Sequence, residues 1–173
     1  MTRQASPPTL SFFSTALIWL VLLAGMTLLF NSILDRINNP NQTLQIQVDS
    51  AGNKELVLKQ NRHGQYWANG QINGHDVVFI LDTGATFVAV PEHIANQIGL
   101  KKGRQQQTMT ANGVSMSYKT TIAEIQLGDI MMHNVPASIS KGMQFDEILL
   151  GMSFLKHLEL SQQGKLLTIS VPD

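Results

Sequence analysis

The chain contains no cysteine. Thiol nucleophiles, disulfides and thiolate metal sites are therefore excluded, and the redox compartment stays open. Charge is sparse: 14% of residues are Asp, Glu, Lys or Arg, and the 12 basic residues balance the 12 acidic ones to a formal net charge of +0. The densest basic group is only Lys101-Lys102 with Arg104 close by. With no basic stripe to track phosphates, no nucleic-acid partner is expected. His63, His75, His93, His133 and His157 show no helical i, i+4 pair with a Glu, so no metal site is expected. Ser153 has glycine on one side only, Gly151, and lacks the G-x-S-x-G nucleophile elbow. The eight methionines read as packing, and no internal repeat is visible.

A hydrophobic fraction of 43% in 173 residues is that of an ordinary globular domain with an appendage. The appendage comes first. Residues 1–9 are short and polar with one cation, Arg3, and Leu10 to Phe30 then runs without a charge. As a helix this run rises about 30 Å, the thickness of a bilayer hydrocarbon core, so a transmembrane helix is expected over residues 10–30. A cleaved signal peptide is the alternative, with Ala24-Gly25-Met26 a poor processing site. Arg3 precedes the span, whereas Asp35 and Arg36 beyond it cancel. The positive-inside rule then keeps the amino terminus cytoplasmic and puts the C-terminal domain outside.

Residues 31–42, ending in Asn38-Asn39-Pro40-Asn41-Gln42, read as a linker, and residues 43–173 as the folded domain. Leu44, Ile46 and Val48 alternate with glutamines as a half-buried strand would, and Asp49 to Asn53 turns into a second strand around Leu56 and Leu58. A hairpin follows: Tyr66 to Ile72, the Asn73-Gly74 turn, and Asp76 to Leu81. Phe87 to Val90 is another strand, and Glu92 to Ile98 a short helix stopped by Gly99. Further strands are expected over 105–110, 114–127, 130–139, 148–150, 158–160 and 166–171, with a helical segment over 153–157. Many short strands and few helices predict an all-β barrel.

The stretch that concentrates chemistry is Val77-Val78-Phe79-Ile80-Leu81-Asp82-Thr83-Gly84-Ala85-Thr86. An apolar run reads as a buried strand, and this one delivers a carboxylate into a small-residue turn, where an unpaired charge is costly. Gly84 permits close backbone approach, and the Thr83 hydroxyl can donate and accept hydrogen bonds. Read alone, Asp82 is either a catalytic carboxylate or a turn residue bonding nearby amides.

Three motifs in order carry a resemblance: Leu81-Asp82-Thr83-Gly84-Ala85-Thr86, Thr110-Ala111-Asn112-Gly113, and Ile148-Leu149-Leu150-Gly151-Met152-Ser153-Phe154-Leu155. Together they resemble the retropepsin-like aspartic proteases, in particular their bacterial membrane-anchored branch. The resemblance implies a retropepsin-like acid protease barrel with one or two short helices, preceded by the N-terminal transmembrane helix. It implies Asp82 as the catalytic residue, with Thr83, Gly84 and Ala85 as its support. Thr110, Ala111, Asn112 and Gly113 become the tip of a flap that closes on substrate, and Leu149, Leu150 and Gly151 the hydrophobic-Gly element packed beside the catalytic turn. Viral relatives follow that glycine with an arginine that ties their dimer together; Met152-Ser153 stands here instead. No metal or organic cofactor is implied.

Acid and base catalysis by carboxylates needs two of them sharing one proton, because two held about 3 Å apart cannot both ionise. The chain offers no convincing second Asp. Asp49-Ser50-Ala51-Gly52 is a near miss with an extra residue before its glycine, Asp76 shares a strand with Asp82, and Asp129 and Asp146 sit in turn-like settings. A homodimer with Asp82 of each copy across the twofold axis is therefore expected. The expected function is a membrane-anchored aspartic endopeptidase acting on protein or peptide substrates, in the bacterial inner membrane with its protease domain in the periplasm. The alternative is a catalytically silent, membrane-tethered peptide-binding module of the same fold, and a third reading is a purely structural β-domain.

Topology is directly testable. The protein should stay with membranes through a carbonate wash, and a reporter fused after Asp173 should be active only outside the cytoplasm. Recovery in the soluble cytoplasmic fraction would refute the span.

Overall fold

In a computed structural model, residues 12–48, 54–110 and 113–172 are described, and the expected turn at Asp49 to Asn53 lies outside them. The chain divides into two units, residues 1–36 and 37–173. Helix α1, Phe12–Asn38, is 27 residues long with no buried side chain. It rises about 40 Å, more than a hydrocarbon core requires. Among the described residues it is the one helix long and apolar enough to cross a membrane. Its polar side chains can be absorbed locally, as Thr27 shows by donating to the Leu23 carbonyl at 2.8 Å. The helix does not stop at Phe30. No glycine or proline intervenes before Pro40, whose ring disfavours helix at the residue before it, so part of the expected linker is helical.

The rest of the expected linker is docked. Asn39 and Asn41 are buried. Asn41 Nδ2 donates to the carbonyls of Trp67 at 2.6 Å and Lys59 at 2.9 Å, and its Oδ1 accepts from the Lys59 N–H at 2.7 Å. Asn39 Nδ2 donates to Asn69 Oδ1 at 2.8 Å, and Asn61 Nδ2 to the Asn38 carbonyl at 2.9 Å. Asparagine suits this place because one flat side chain carries both donors and acceptors and can complete backbone groups on two strands.

Strands β1 (Gln45–Val48) and β2 (Lys54–Lys59) pair antiparallel. Alternation in β1 does not mean half-burial, since all four residues are exposed at a sheet edge. Next come β3 (Trp67–Ile72) and β4 (His75–Leu81), joined by Asn73 and Gly74 with φ of 50° and 78°, the left-handed pair that a tight hairpin demands. Strand β5 (Val88–Pro91) leads into helix α2 (Glu92–Gln97), which Gly99 ends with φ 71°. Strands β6 (Gln105–Thr110) and β7 (Gly113–Leu127) form a long hairpin, and Gly128 (φ 62°) turns β7 into β8 (Ile130–Ser140). Strand β9 (Ile148–Leu150), helix α3 (Met152–Leu155), and strands β10 (Glu159–Gln163) and β11 (Leu166–Ser170) complete the chain.

The first sheet has four strands in the order β1-β2-β11-β10, and the second has seven in the order β3-β4-β9-β5-β8-β7-β6. Strand β3 also pairs with β7 through Gln71↔Gln126 and Ile72↔Ile125, which bends the larger sheet toward a barrel. The expected all-β barrel with two short helices is what forms. Inside it Leu58, Phe79, Ile122, Ile125, Ile139, Leu150, Phe154 and Ile169 are sealed from solvent. At about 1.5 to 3 kcal/mol per fully buried apolar side chain, this cluster is the main source of stability.

Two buried polar groups in this fold predict opposite outcomes. Asn41→Ala strands donors and acceptors of β2 and β3 and should cost about 1 to 3 kcal/mol. Tyr66 is buried with no partner for its hydroxyl among the described residues, so Tyr66→Phe should leave stability unchanged or slightly higher. Thermal melts of the two variants beside the parent check both.

Candidate active site

Strand β4 ends at Leu81, and its apolar residues are explained by what lies beside it. It pairs antiparallel with β3 and parallel with β9, in the register Phe79↔Ile148, Ile80↔Leu149, Leu81↔Leu150. The ladder continues one step past the strand, since the Asp82 N–H donates to the Leu150 carbonyl at 3.2 Å. Asp82 is thus held by the backbone of the hydrophobic-Gly element before its side chain makes any contact.

The turn then closes on itself. Gly84 N–H donates to Asp82 Oδ1 at 2.9 Å, and the Ala85 N–H to the Asp82 carbonyl at 3.2 Å. A Cβ on residue 84 would lie 3.1 Å from Asp82 Oδ1, so glycine leaves the carboxylate its room. Asp82 is half-buried, while Thr83 and Gly84 are exposed. The carboxylate is therefore not sunk in the interior as the apolar run suggests. The strand is buried, but its end emerges. Thr83 makes no side-chain hydrogen bond among the described residues, so the support visible within this chain comes from Gly84 and the backbone.

After the turn, the chain is clipped to the start of α3. Met152 N–H donates to the Ala85 carbonyl at 2.7 Å and Ser153 N–H to the Thr86 carbonyl at 2.9 Å. Ser153 Oγ, buried, accepts from the Val88 N–H at 2.9 Å. The two segments approach so closely at Gly151 that a Cβ there would clash with the Phe87 carbonyl oxygen and lie 2.7 Å from that of Ala85. Strand β5 crosses the same element through Ala89↔Leu149. Leu149, Leu150 and Gly151 therefore stand against Asp82, Ala85 and Phe87. Ser153 is the residue that motif reading missed. Its hydroxyl oxygen is taken up by the Val88 amide, so its role is to fix a backbone group 65 residues away in sequence.

Of the residues expected to form a flap, Thr110 ends β6 and pairs with Gly113 at the start of β7, whereas Ala111 and Asn112 lie outside the described residues. Gly113 has φ 105°, and an added Cβ would meet nothing within 4 Å. The neighbouring cross-strand pair Met109↔Val114 is exposed at 86% and 65%, an apolar pair with nothing over it among the described residues.

The other described aspartates of the domain are engaged elsewhere. Asp76 accepts from Gln71 Nε2 at 2.8 Å, Asp129 pairs with Lys54 Nζ at 2.7 Å, and Asp146 contacts His93 Nε2 at 2.8 Å. Among the described residues, no cluster of three or more His, Asp or Glu side chains is arranged to hold a metal ion.

A barrel in which a strand-end Asp-Thr-Gly turn is pinned by a hydrophobic-Gly element has the retropepsin-like aspartic protease fold. Residues 68–157 match the family described as "gag-polyprotein putative aspartyl protease", and the chain belongs to that family. A crystal structure of a retropepsin-like aspartic protease from Rickettsia conorii has the same fold, with TM-score 0.59 and 22% identity over 76% of this chain and 96% of that one. An uncharacterized protein in the cobV 5′ region of a Sinorhizobium species is 34% identical over 120 residues, 68% of this chain and 52% of the relative. An uncharacterized protein of Rickettsia prowazekii (strain Madrid E) is 25% identical over 108 residues, 61% of this chain and 46% of the relative. The chain thus spans about half the length of these curated relatives.

The two glycines should respond differently to the same change. Gly151→Ala forces a Cβ into backbone and should cost about 3 kcal/mol, the upper end of overpacking. Gly113→Ala meets only backbone strain and should cost about 1 kcal/mol. Equal shifts of the two in a denaturant titration would contradict the close approach at Gly151.

Proposed function

We propose that the chain is a membrane-anchored aspartic endopeptidase whose Asp dyad forms across a homodimer. The observation that carries this is the rigid, half-buried Asp82 on an exposed turn, in a domain whose other described aspartates are engaged elsewhere. A twofold axis beside the turn would bring a second Asp82 opposite the first and cover Thr83 and Gly84. The exposed Thr83 hydroxyl would then have a neighbouring turn to bond, which is the bracing role given to it.

The chemistry follows from two carboxyls sharing one proton, the pair titrating as a unit. The ionised Asp82 takes a proton from a water molecule as its oxygen adds to the scissile carbonyl carbon. The protonated Asp82 gives its proton to the carbonyl oxygen. The tetrahedral diol then collapses: the now ionised carboxylate takes a proton from one hydroxyl as the carbonyl re-forms, the C–N bond breaks, and the nitrogen leaves carrying the proton of the protonated carboxyl, so the dyad again holds one proton. Gly84 N–H, bonded to Oδ1, holds the carboxylate plane while this happens. Residues Thr110 to Gly113 cover the substrate, and the exposed Met109 and Val114 supply apolar surface for it to meet. Helix α1 supplies the membrane anchor, with the protease domain on the periplasmic side of a bacterial inner membrane. Tethering in one plane raises the local concentration of copies and so favours pairing without an arginine after Gly151.

Asp82→Asn keeps the shape but cannot share a proton, so the fold should survive while peptide cleavage falls by about a thousandfold or more. Excess Asp82→Asn chain mixed with the parent should suppress parental activity by forming mixed dimers. Full activity of the variant, or parental activity unaffected by the mixture and by dilution in a proven monomer, would overturn the dyad.

A further inference from the structure

A cleft of about 510 Å³ opens beside the exit of the catalytic turn, lined among others by Phe87, Lys101, Lys102, Gln106, Lys119 and Ala137. Phe87 lies five residues past Asp82 and is 41% exposed, while Gln106 stands on β6, the first strand of the flap hairpin. The cleft therefore touches both elements between which the substrate is proposed to lie. The proposed substrate, extended at about 3.3 Å per residue, would meet it a few residues from the scissile bond.

Its charge is one-sided. Among the described residues three lysines and no carboxylate line it, in a chain whose formal net charge is +0. Lys102 is already engaged, pairing with Glu92 at 2.8 Å and standing 5.6 Å from the centre of the Tyr118 ring. That contact holds the Glu92 carboxyl below its ordinary range. Lys101 and Lys119 make no ion pair among the described residues. Their backbones are nonetheless fixed side by side. Gly103 N–H donates to the Lys119 carbonyl at 2.8 Å, Lys119 N–H to the Arg104 carbonyl at 3.0 Å, and Thr120 Oγ1 to the Lys101 carbonyl at 2.8 Å. A Cβ at residue 103 would lie 2.6 Å from the Lys119 carbonyl oxygen, so glycine is what lets the segment lie this close to β7.

We infer that this cleft is a specificity subsite that takes an acidic side chain of the substrate, its carboxylate between Lys101 and Lys119 and its methylenes against Phe87. The inference rests on the peptidase reading for the identity of the substrate, and on the cleft alone for its charge preference. Each lysine acts at a solvent-exposed site, where one ion pair changes affinity by a small factor and two together by about fivefold.

The test uses the full-length chain in detergent micelles and synthetic peptide libraries that carry Glu, Gln or Lys fixed at one position at a time. Cleavage is read by mass spectrometry, and binding of the same peptides to the Asp82→Asn chain by fluorescence anisotropy. At a position a few residues from the cut, Glu should exceed Lys by about fivefold in both readouts. The double variant Lys101→Glu/Lys119→Glu should invert the order, and Lys101→Gln/Lys119→Gln, a milder change to the pinned loop, should flatten it. Selective binding that inverts without any cleavage would uphold the subsite and sink the peptidase. Cleavage whose charge preference is the same in parent and both variants would sink the subsite and leave the peptidase standing. Peptides neither bound nor cut would overturn both.

Discussion

The absence of a side chain at Gly151 is the constraint on which the site depends. There the segment leaving the Asp-Thr-Gly turn runs so close to the start of α3 that two amides, Met152 and Ser153, reach the carbonyls of Ala85 and Thr86. The same element pairs with β4 up to Leu81↔Leu150 and accepts the Asp82 N–H. One short stretch therefore holds the chain both before and after Asp82. Carboxylate position in such an arrangement is set by backbone bonds between strands rather than by a rotamer, which is how a site on a small barrel can be rigid while its tip faces solvent.

Stability and exposure are divided in a way that matches this. The core behind the turn is sealed by Phe79, Ile148, Leu150 and Phe154. The face in front carries exposed Thr83, Gly84 and Phe87, and the β6–β7 hairpin carries exposed Met109 and Val114. An exposed apolar pair on a hairpin and an open carboxylate turn are the two surfaces that the proposed substrate and second copy would cover. The asparagine cluster at Asn39, Asn41 and Asn61 shows the opposite economy: polar groups taken inside, each with partners.

Much of this architecture was legible in the sequence. The first hairpin announced itself through Asn73-Gly74, and β4 through its apolar run, because these are local preferences of backbone and burial. Asp82 and Gly151 were legible through the order of three motifs. What escaped was set by distant partners. Ser153 looked inert because its bond goes to Val88, with no local pattern to betray it. Asn39 and Asn41 flank a proline and read as linker, although their partners on β2 and β3 draw them inside. The alternation of β1 was real, yet alternation cannot tell an edge strand with nothing packed on it from a half-buried one. Helix α1 ran past Phe30 because Asn31, Ser32, Asp35 and Arg36 are tolerated in a helix, and only Pro40 forbids it.

A barrel with a single Asp-Thr-Gly turn has a further consequence for how such a site can change over generations. In the proposed pair, each groove residue is written once in the gene and read twice in the protein. A substitution at Ala85, Thr86 or Phe87 alters both ends of the groove together, with its energetic effect counted twice. A gain at one end cannot be kept while the other is spared. Specificity in a single-lobed protease therefore evolves in symmetric steps, unless its gene is duplicated and fused into two lobes free to diverge.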